Sequence, residues 1–276
     1  MYSAVFARTY PATDSAQVLA AAALDGYQGV QFNLQCAGIA SLPEILPEGL
    51  PQTIAEQAKS LGLKIAALSG TYNMAHPDER ARVKSRAGFL NVLKAASQMG
   101  TSIVTLCTGS RDVQNMWKAH PENTTAQAWS DLRAEMDIAL EVAERYGIRL
   151  GIEPEPGNVI CDAKAAERFL KEVNSKQLGI VLDAANLLSA ELLPQQHAVM
   201  QEAIDLLGES LLLAHAKDIN SQGLVVGAGD GAVDLNAFAR LVRSTGYDGA
   251  LVAHGFEANR SKTSAEVVNR LCRENP

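Results

Sequence analysis

The sequence predicts an α/β protein built as a single (β/α)8 barrel. The chain has 276 residues, which suits a barrel of this kind, since about 250 residues are typical. Eight short apolar runs alternate with eight amphipathic segments from one end to the other. The apolar runs are too continuous for a half-exposed sheet and are typical of parallel strands covered on both faces. Because no linker rich in Pro, Gly or Ser divides the chain, we expect one domain over residues 1–276.

The eight candidate strands are short and each is followed by a longer amphipathic segment. They are predicted at Tyr2–Phe6, Val30–Leu34, Lys64–Ser69, Ile103–Cys107, Arg149–Glu153, Gly179–Asp183, Leu211–His215 and Ala250–His254. A strand with its crossover helix takes about 30 residues or more, which matches the spacing of these runs. Eight such units in order favour a closed barrel, and a doubly wound open sheet is the alternative.

The eight candidate helices fill the gaps between the strands. They are predicted at Asp14–Asp25, Pro51–Leu61, Glu79–Met99, Thr125–Tyr146, Asp162–Val173, Gln196–Leu207, Asn236–Ser244 and Ser264–Arg273. Asp14, Asp162 and Asp234 stand where helices should begin and can cap free N–H groups. Several helices end in glycine, which tolerates the left-handed conformation that closes a helix: Gly62, Gly100, Gly147, Gly208 and Gly246.

Composition excludes several classes of function. Asp and Glu number 31 against 24 Lys and Arg, a net charge of −7, so the surface offers no electrostatic footprint for nucleic acid. The four cysteines form no CxxC pair and are expected to be reduced thiols. The N-terminus does not resemble a signal peptide, and no apolar run reaches the ~18 residues of a membrane span. We therefore expect a cytoplasmic protein that contacts neither membrane nor nucleic acid.

Four potential metal ligands lie near the ends of the last four predicted strands. Glu153, Asp183, His215 and His254 are separated by 30, 32 and 39 residues, about one βα unit each. Because the carboxyl ends of barrel strands meet at one face, these side chains should converge there. Two carboxylates and two imidazoles would bind a divalent metal ion. Singly, each could instead be a surface ion pair, a helix cap or a core histidine, and Glu257 is the alternative fourth ligand.

Polar residues beside these ligands are expected to contact a substrate. Glu155 and Asn186 follow two of the strand ends, and strand alternation places Lys217 on the same side as His215. Asp218, the next residue, either orients an imidazole or pairs with a surface lysine.

Three residues in the loops after the third and fourth strands are further candidates for substrate binding. Asn73, His76 and Arg111 lie where a barrel builds its active site. The alternative for each is a purely structural role in its loop.

Motifs along nearly the whole chain resemble the xylose isomerase-like TIM barrels. This family of sugar-phosphate isomerases and epimerases shares a superfamily with AP endonuclease family 2, which includes endonuclease IV. The resemblance rests on LSGTYNMAHPDERAR, LCTGSRDVQNMWKAHPEN, IEPEPGN, LDAANLL, AHAKD and VGAGDGAVDLNAFARLVRSTGYDGALVAHGF. The last of these segments is the most specific.

The resemblance implies a ligand set of Glu, Asp, His and Glu on strands five to eight. Glu153, Asp183 and His215 match it, whereas His254 stands where the family usually has glutamate. In the epimerases the two glutamates form the acid–base pair, so Glu153 and His254 are the expected catalytic pair. Glu257 or Lys217 is the alternative to His254. A second departure is Asn186, where many members have histidine.

The resemblance therefore implies a metal-dependent isomerase or epimerase of a sugar or related polyhydroxy-ketone. Such an enzyme removes a proton next to a metal-bound carbonyl, through an enediolate. The expected cofactor is Mn²⁺, with Mg²⁺, Co²⁺ or Zn²⁺ possible. The alternatives are a keto-inositol dehydratase, a non-catalytic sugar-binding barrel and an endonuclease IV-like repair enzyme, whose additional histidines this chain lacks. The expected partner is a small sugar-like molecule, and the protein could be a homo-oligomer.

Overall fold

A computed structural model describes residues 1–273 and closes eight parallel strands into a barrel. Residues 274–276 of the predicted domain lie outside the described residues. The strands are β1 Tyr2–Phe6, β2 Gly29–Phe32, β3 Lys64–Ser69, β4 Ile103–Cys107, β5 Arg149–Glu153, β6 Leu178–Asp183, β7 Leu211–Ala216, β8 Asp218–Ile219, β9 Val225–Val226 and β10 Ala250–Ala253. The order around the barrel is β1-β10-β7-β6-β5-β4-β3-β2, and β8 pairs with β9 outside it. The predicted (β/α)8 barrel is confirmed.

Eight α-helices surround the barrel within residues 1–273. They are α1 Ser15–Leu24, α2 Leu50–Ser60, α3 Glu79–Met99, α4 Ala126–Arg145, α5 Ala163–Val173, α6 Gln196–Leu207, α7 Leu235–Ser244 and α8 Ser261–Arg273. None of them is both long enough and apolar enough to cross a membrane. The predicted caps are confirmed, since Asp14, Asp162 and Asp234 each accept a backbone N–H at 2.8–2.9 Å.

The barrel interior is apolar at one end and polar at the other. Small and branched side chains fill the lower layer: Ala4, Ala67, Val181, Leu213 and Val252 pack against one another. Side chains alternate along a strand, so the residues two positions further on point into the same interior one layer higher. That upper layer is Phe6, Ser69, Asp183, His215 and His254. The period of two therefore places the polar residues together above an apolar floor.

Several elements differ from the prediction, most by one to three residues at an end. β2 ends at Phe32 rather than Leu34, because Asn33 caps a short 3-10 helix that follows at once. β10 ends at Ala253, so His254 lies one residue beyond the strand. Gly208 was expected to be left-handed but has φ −57° and continues into a 3-10 turn. The hairpin of β8 and β9 was not predicted, because each of its strands is only two residues long.

Candidate active site

Four side chains of ligand type converge at the carboxyl end of the barrel. One ligand atom from each of Glu153, Asp183, His215 and His254 lies within 4.8 Å of all the others. The strand register produces this convergence, since Asp183 of β6 pairs directly with His215 of β7. On its other side, His215 pairs with Val252 of β10, which lies two residues before His254. Strand alternation then carries the fourth side chain into the same layer.

Hydrogen bonds link the four groups to one another. His254 Nε2 lies 2.9 Å from Asp183 Oδ2. His215 Nδ1 lies 3.2 Å from Glu153 Oε1 and 3.9 Å from Asp183 Oδ2. The rings of His215 and His254 meet edge to face, with centroids 4.5 Å apart. One nitrogen of each imidazole therefore faces the carboxylates.

Lys217 and Asn186 form a second layer of contacts around the carboxylates. Lys217 Nζ lies 3.0 Å from Asp183 Oδ2 and also donates to Asn186 Oδ1. The Asn186 amide in turn donates to Glu153 Oε1 at 2.9 Å. The ammonium group thus compensates the buried negative charge of Asp183, and the amide ties that pair to Glu153.

The electrostatics keep both buried carboxylates ionised. Burial alone would raise the pKa of Glu153, but the imidazole of His215 outweighs it and the pKa lies below its usual value. Burial also acts to raise the pKa of Asp183, yet Lys217 and His254 hold it well below its usual range. The pKa of Lys217 is raised, since the surrounding carboxylates outweigh its burial. The site is therefore charged rather than neutral near pH 7.

Glu155 behaves differently from the other carboxyl groups. Burial and the neighbouring charge of Glu153 raise its pKa to about 7. The pKa of His254, by contrast, is lowered by burial and by the nearby His215. Glu155 can therefore exchange a proton near neutral pH. The sequence predicted that Glu155 contacts the substrate and did not predict that it could act as an acid or a base.

The donor set fits a divalent cation. Two carboxylates and two imidazoles suit Mn²⁺, Co²⁺ or Zn²⁺, and mixed ligation of this kind does not select sharply among them. Asp183 Oδ2 already accepts from two cationic or polar groups, Lys217 and His254. The negative charge of Asp183 is therefore paired with neighbouring positive charge, as a buried carboxylate requires.

A cavity of about 250 Å³ opens above the cluster. Glu153, His215 and His254 line its floor, and Trp117, which is 51% exposed, lines its rim. The polar residues of its wall that the sequence prediction missed include Gln31, Ser69, Thr105 and Cys107. A polar residue at an inward position of an otherwise apolar strand is the signal that could have identified them.

The three loop candidates lie outside the walls of this cavity. Asn73 exchanges two hydrogen bonds with the backbone of Ser110 and so joins the loops after β3 and β4. His76 accepts from the backbone N–H of Asp78 at 3.0 Å. Arg111 pairs with Asp131 at 2.6 Å and does not reach the cavity. Each of these contacts is the structural alternative that the sequence left open.

The sequence left alternative roles open for two further residues, Glu257 and Asp218. Glu257 is exposed and lines an outer groove, whereas His254 lies in the cluster. Among residues 1–273, the carboxylate of Asp218 contacts neither an imidazole nor a lysine. It accepts the backbone N–H groups of Gly229, Gly231 and Val233 at 3.0–3.1 Å, and thereby fixes the glycine-rich loop.

Comparison with known proteins identifies the family. The family profile described as "Xylose isomerase-like TIM barrel" matches residues 18–273. The chain belongs to this family. No curated protein matches the chain in sequence.

Solved structures show the same fold over almost the full chain. A D-tagatose 3-epimerase-like protein is 16% identical, with a TM-score of 0.77, and the match covers 98% of this chain and 97% of that one. The IOLI protein with a bound zinc atom is 17% identical, with a TM-score of 0.74 and coverage of 99% and 98%. The probable 3-DHS dehydratase AsbF from Bacillus anthracis is 15% identical, with a TM-score of 0.76 and coverage of 97% and 98%. At these identities the likeness concerns the fold alone.

Proposed function

We propose that the protein is a divalent-metal-dependent isomerase or epimerase that acts on a sugar or a related polyhydroxy-ketone. The observation that carries the proposal is the cluster of Glu153, Asp183, His215 and His254 at the floor of a cavity. Membership of the xylose isomerase-like family supports it. So does the presence of a D-tagatose 3-epimerase-like protein among the structures that share the fold.

The four clustered residues would hold the metal ion. When bound, a divalent cation supplies a Lewis acid that polarises a carbonyl of the substrate. Mn²⁺ is our first expectation, and Mg²⁺, Co²⁺ and Zn²⁺ are compatible with the same donors. The zinc atom in the IOLI structure supports a divalent ion on this fold.

Glu153 is the base in this proposal. Its Oε1 accepts a hydrogen bond from Asn186, whereas its Oε2 lies 3.9 Å from the thiol of Cys107. We assign Oε2 as the atom that takes the proton from the carbon next to the carbonyl. The lowered pKa of Glu153 keeps the group ionised and ready to accept that proton.

The group that returns a proton is one of two that line the same cavity, His254 and Glu155. His254 occupies the position of the second glutamate in the family's pattern and is our first assignment. Glu155 is the second assignment, because it carries a carboxyl beside Glu153. Lys217 and Asn186 would hold the carboxylates in place, and neither is among the residues that line the cavity.

Solvent deuterium exchange tests the proposal directly. Purified protein loaded with Mn²⁺ is incubated in D₂O with a panel of ketoses and keto-inositols, and deuterium next to the carbonyl is measured by NMR. We expect exchange into at least one substrate, with Glu153→Gln abolishing it and Glu257→Gln, an exposed carboxyl, retaining it. Undiminished exchange by protein stripped of metal would defeat the proposal. Loss of water from the substrate would instead identify a dehydratase.

The same assay separates the two candidates for the second proton carrier. Glu153 removes the proton, exchanges it with D₂O and can return a deuteron to the same carbon, whereas formation of the isomer also requires the second group. We expect the variant that removes this group to slow isomer formation much more than exchange. His254→Asn and Glu155→Gln are compared with the wild-type protein, and metal content is measured for both.

A further inference from the structure

Gln31 is a buried amide at the centre of the barrel with a hydrogen-bond partner for each of its polar atoms. Its Oε1 lies 2.8 Å from His215 Nε2. Its amide nitrogen donates to Ser69 Oγ at 3.1 Å and to Thr105 Oγ1 at 3.2 Å. These contacts join β2 to β3, β4 and β7 across the interior.

An amide in the barrel interior costs free energy unless its polar atoms form hydrogen bonds. Gln31 is 4% exposed and follows two apolar strand residues, and burying an unpaired amide is unfavourable. The pairing of β2 with β3 shifts its register between Val30 and Gln31. Such an irregularity redirects a side chain, and here the redirected side chain reaches His215.

The two ring nitrogens of His215 face different partners. Nδ1 lies on the side of Glu153 and Asp183, where the metal ion is proposed to bind. Nε2 lies on the side of Gln31. An imidazole that ligates through Nδ1 must offer a lone pair there, so its proton has to be on Nε2. That proton then requires an acceptor, and Gln31 Oε1 is at hydrogen-bonding distance.

We infer that Gln31 is a positioning residue for the metal centre: its carbonyl oxygen holds the Nε2 proton of His215 and so presents Nδ1 as the ligand atom. Ser69 and Thr105 anchor the amide from the other side. The inference rests on the proposed function to the extent that it requires a divalent ion at this site. It assigns a role to a residue that supplies no ligand atom of the cluster.

Zinc affinity tests the inference without any need for activity. Zn²⁺ binding is measured by equilibrium dialysis for the wild-type protein, Gln31→Met and Gln31→Glu. We expect Gln31→Met to weaken binding about 10- to 100-fold, the usual effect of losing a partner that orients a ligand. Gln31→Glu keeps an acceptor oxygen and should retain affinity close to that of the wild type. Gln57→Met, the same substitution on the outer helix α2, should bind zinc like the wild type.

A spectroscopic readout separates positioning from packing. In the zinc-loaded protein with ¹⁵N-labelled histidine, we expect a proton on Nε2 of His215 and none on Nδ1. Thermal melts of metal-free protein check that each variant is folded. Equal zinc affinity in wild type and Gln31→Met would overturn the inference, as would equal losses in the Met and Glu variants. A wild-type protein that binds no zinc, manganese or cobalt would overturn the proposed function as well, so the two failures are distinguishable.

Discussion

Lys217 places a positive charge in the site before any metal ion binds. Its ammonium group lies 3.0 Å from Asp183 Oδ2, and its side chain is only 10% exposed. Removing one partner of a buried ion pair leaves the other charge uncompensated. The ammonium group therefore stabilises the metal-free protein by pairing with Asp183.

Replacing Lys217 with Met should destabilise the metal-free protein. We expect a loss of about 3–5 kcal/mol in the free energy of unfolding in EDTA, because Asp183 then remains buried without its cation. Added Mn²⁺ should recover part of this loss, since it supplies a new positive charge. Urea denaturation with EDTA and with Mn²⁺ measures both effects. Equal stability of variant and wild type in EDTA would contradict the prediction.

Glu155 should make stability depend on pH in an unusual direction. Its pKa is about 7 in the folded protein against an ordinary value of 4.5, so the folded state binds this proton more tightly than the unfolded state. Its contribution to stability is complete below pH 4.5 and is lost as the pH rises to 7. In Glu155→Gln the group cannot ionise. The variant should therefore match the wild type near pH 4 and be more stable by about 1–3 kcal/mol at pH 8 in EDTA.

Glu257→Gln is the control for this effect, because Glu257 is exposed and lies outside the cluster. Its unfolding free energy should follow that of the wild type at both pH values. A Glu155→Gln variant with the same stability difference at pH 4 and pH 8 would show that ionisation of Glu155 is not involved.

At the residue scale, the sequence predicted the cluster but not its support. Glu153, Asp183 and His215 could be identified because each ligand type ends an apolar strand at βα spacing. The contacts of Gln31 could not be predicted, since its partners come from three other strands and depend on a register shift. The partner of Arg111 could not be predicted either, because a loop position alone does not reveal that Asp131 of α4 pairs with its side chain.

At the element scale, the glycine-rich loop before α7 depends on a single carboxylate. Asp218 accepts three backbone N–H groups from this loop. Gly231 is required there, because a Cβ atom at this position would lie 2.2 Å from Asp218 Oδ1. The loop and the β8–β9 hairpin together form one wall of the outer groove.

Asp218→Ala should therefore loosen this wall. Three donors lose their acceptor, and we expect a cost of about 2–4 kcal/mol, reduced from the sum of three bonds because water reaches the loop. Urea denaturation measures the loss, and hydrogen exchange should show faster exchange at Gly229, Gly231 and Val233. Asp230→Asn is the matched control in the same loop. Its ion pair with Arg260 is on the surface and is expected to contribute little to stability.

The strands themselves were predictable because apolar runs with regular spacing leave few alternatives. The ends of the strands were less predictable than their existence. β10 ends before His254, and β8 and β9 are too short to produce a periodic pattern. A two-residue hairpin depends on contacts such as those of Asp218, which lie beyond the reach of local sequence patterns.

At the scale of the whole molecule, the proposed metal ion would connect half of the barrel. Its ligands come from β5, β6 and β7 and from the residue after β10. A ligand that binds only the folded state stabilises it, by about 2.7 kcal/mol at a concentration 100 times Kd. Mn²⁺ at that concentration should raise Tm by roughly 5 °C or more over the value in EDTA.

Asp183→Asn should lose this thermal shift, because it removes a charged ligand while keeping the shape of the side chain. Scanning calorimetry of both proteins with EDTA and Mn²⁺ provides the measurement. An equal shift in Asp183→Asn would place the stabilising ion elsewhere on the protein.

The volume of the cavity above the cluster limits how much of a ligand the barrel can enclose. Its volume of about 250 Å³ corresponds to on the order of eight water molecules. A ligand of roughly ten non-hydrogen atoms would displace that water and fill the space. Anything longer must extend past the exposed ring of Trp117 into bulk solvent. A longer molecule would therefore place only one end beside the cluster, and the depth of the cavity sets how much of that molecule is enclosed.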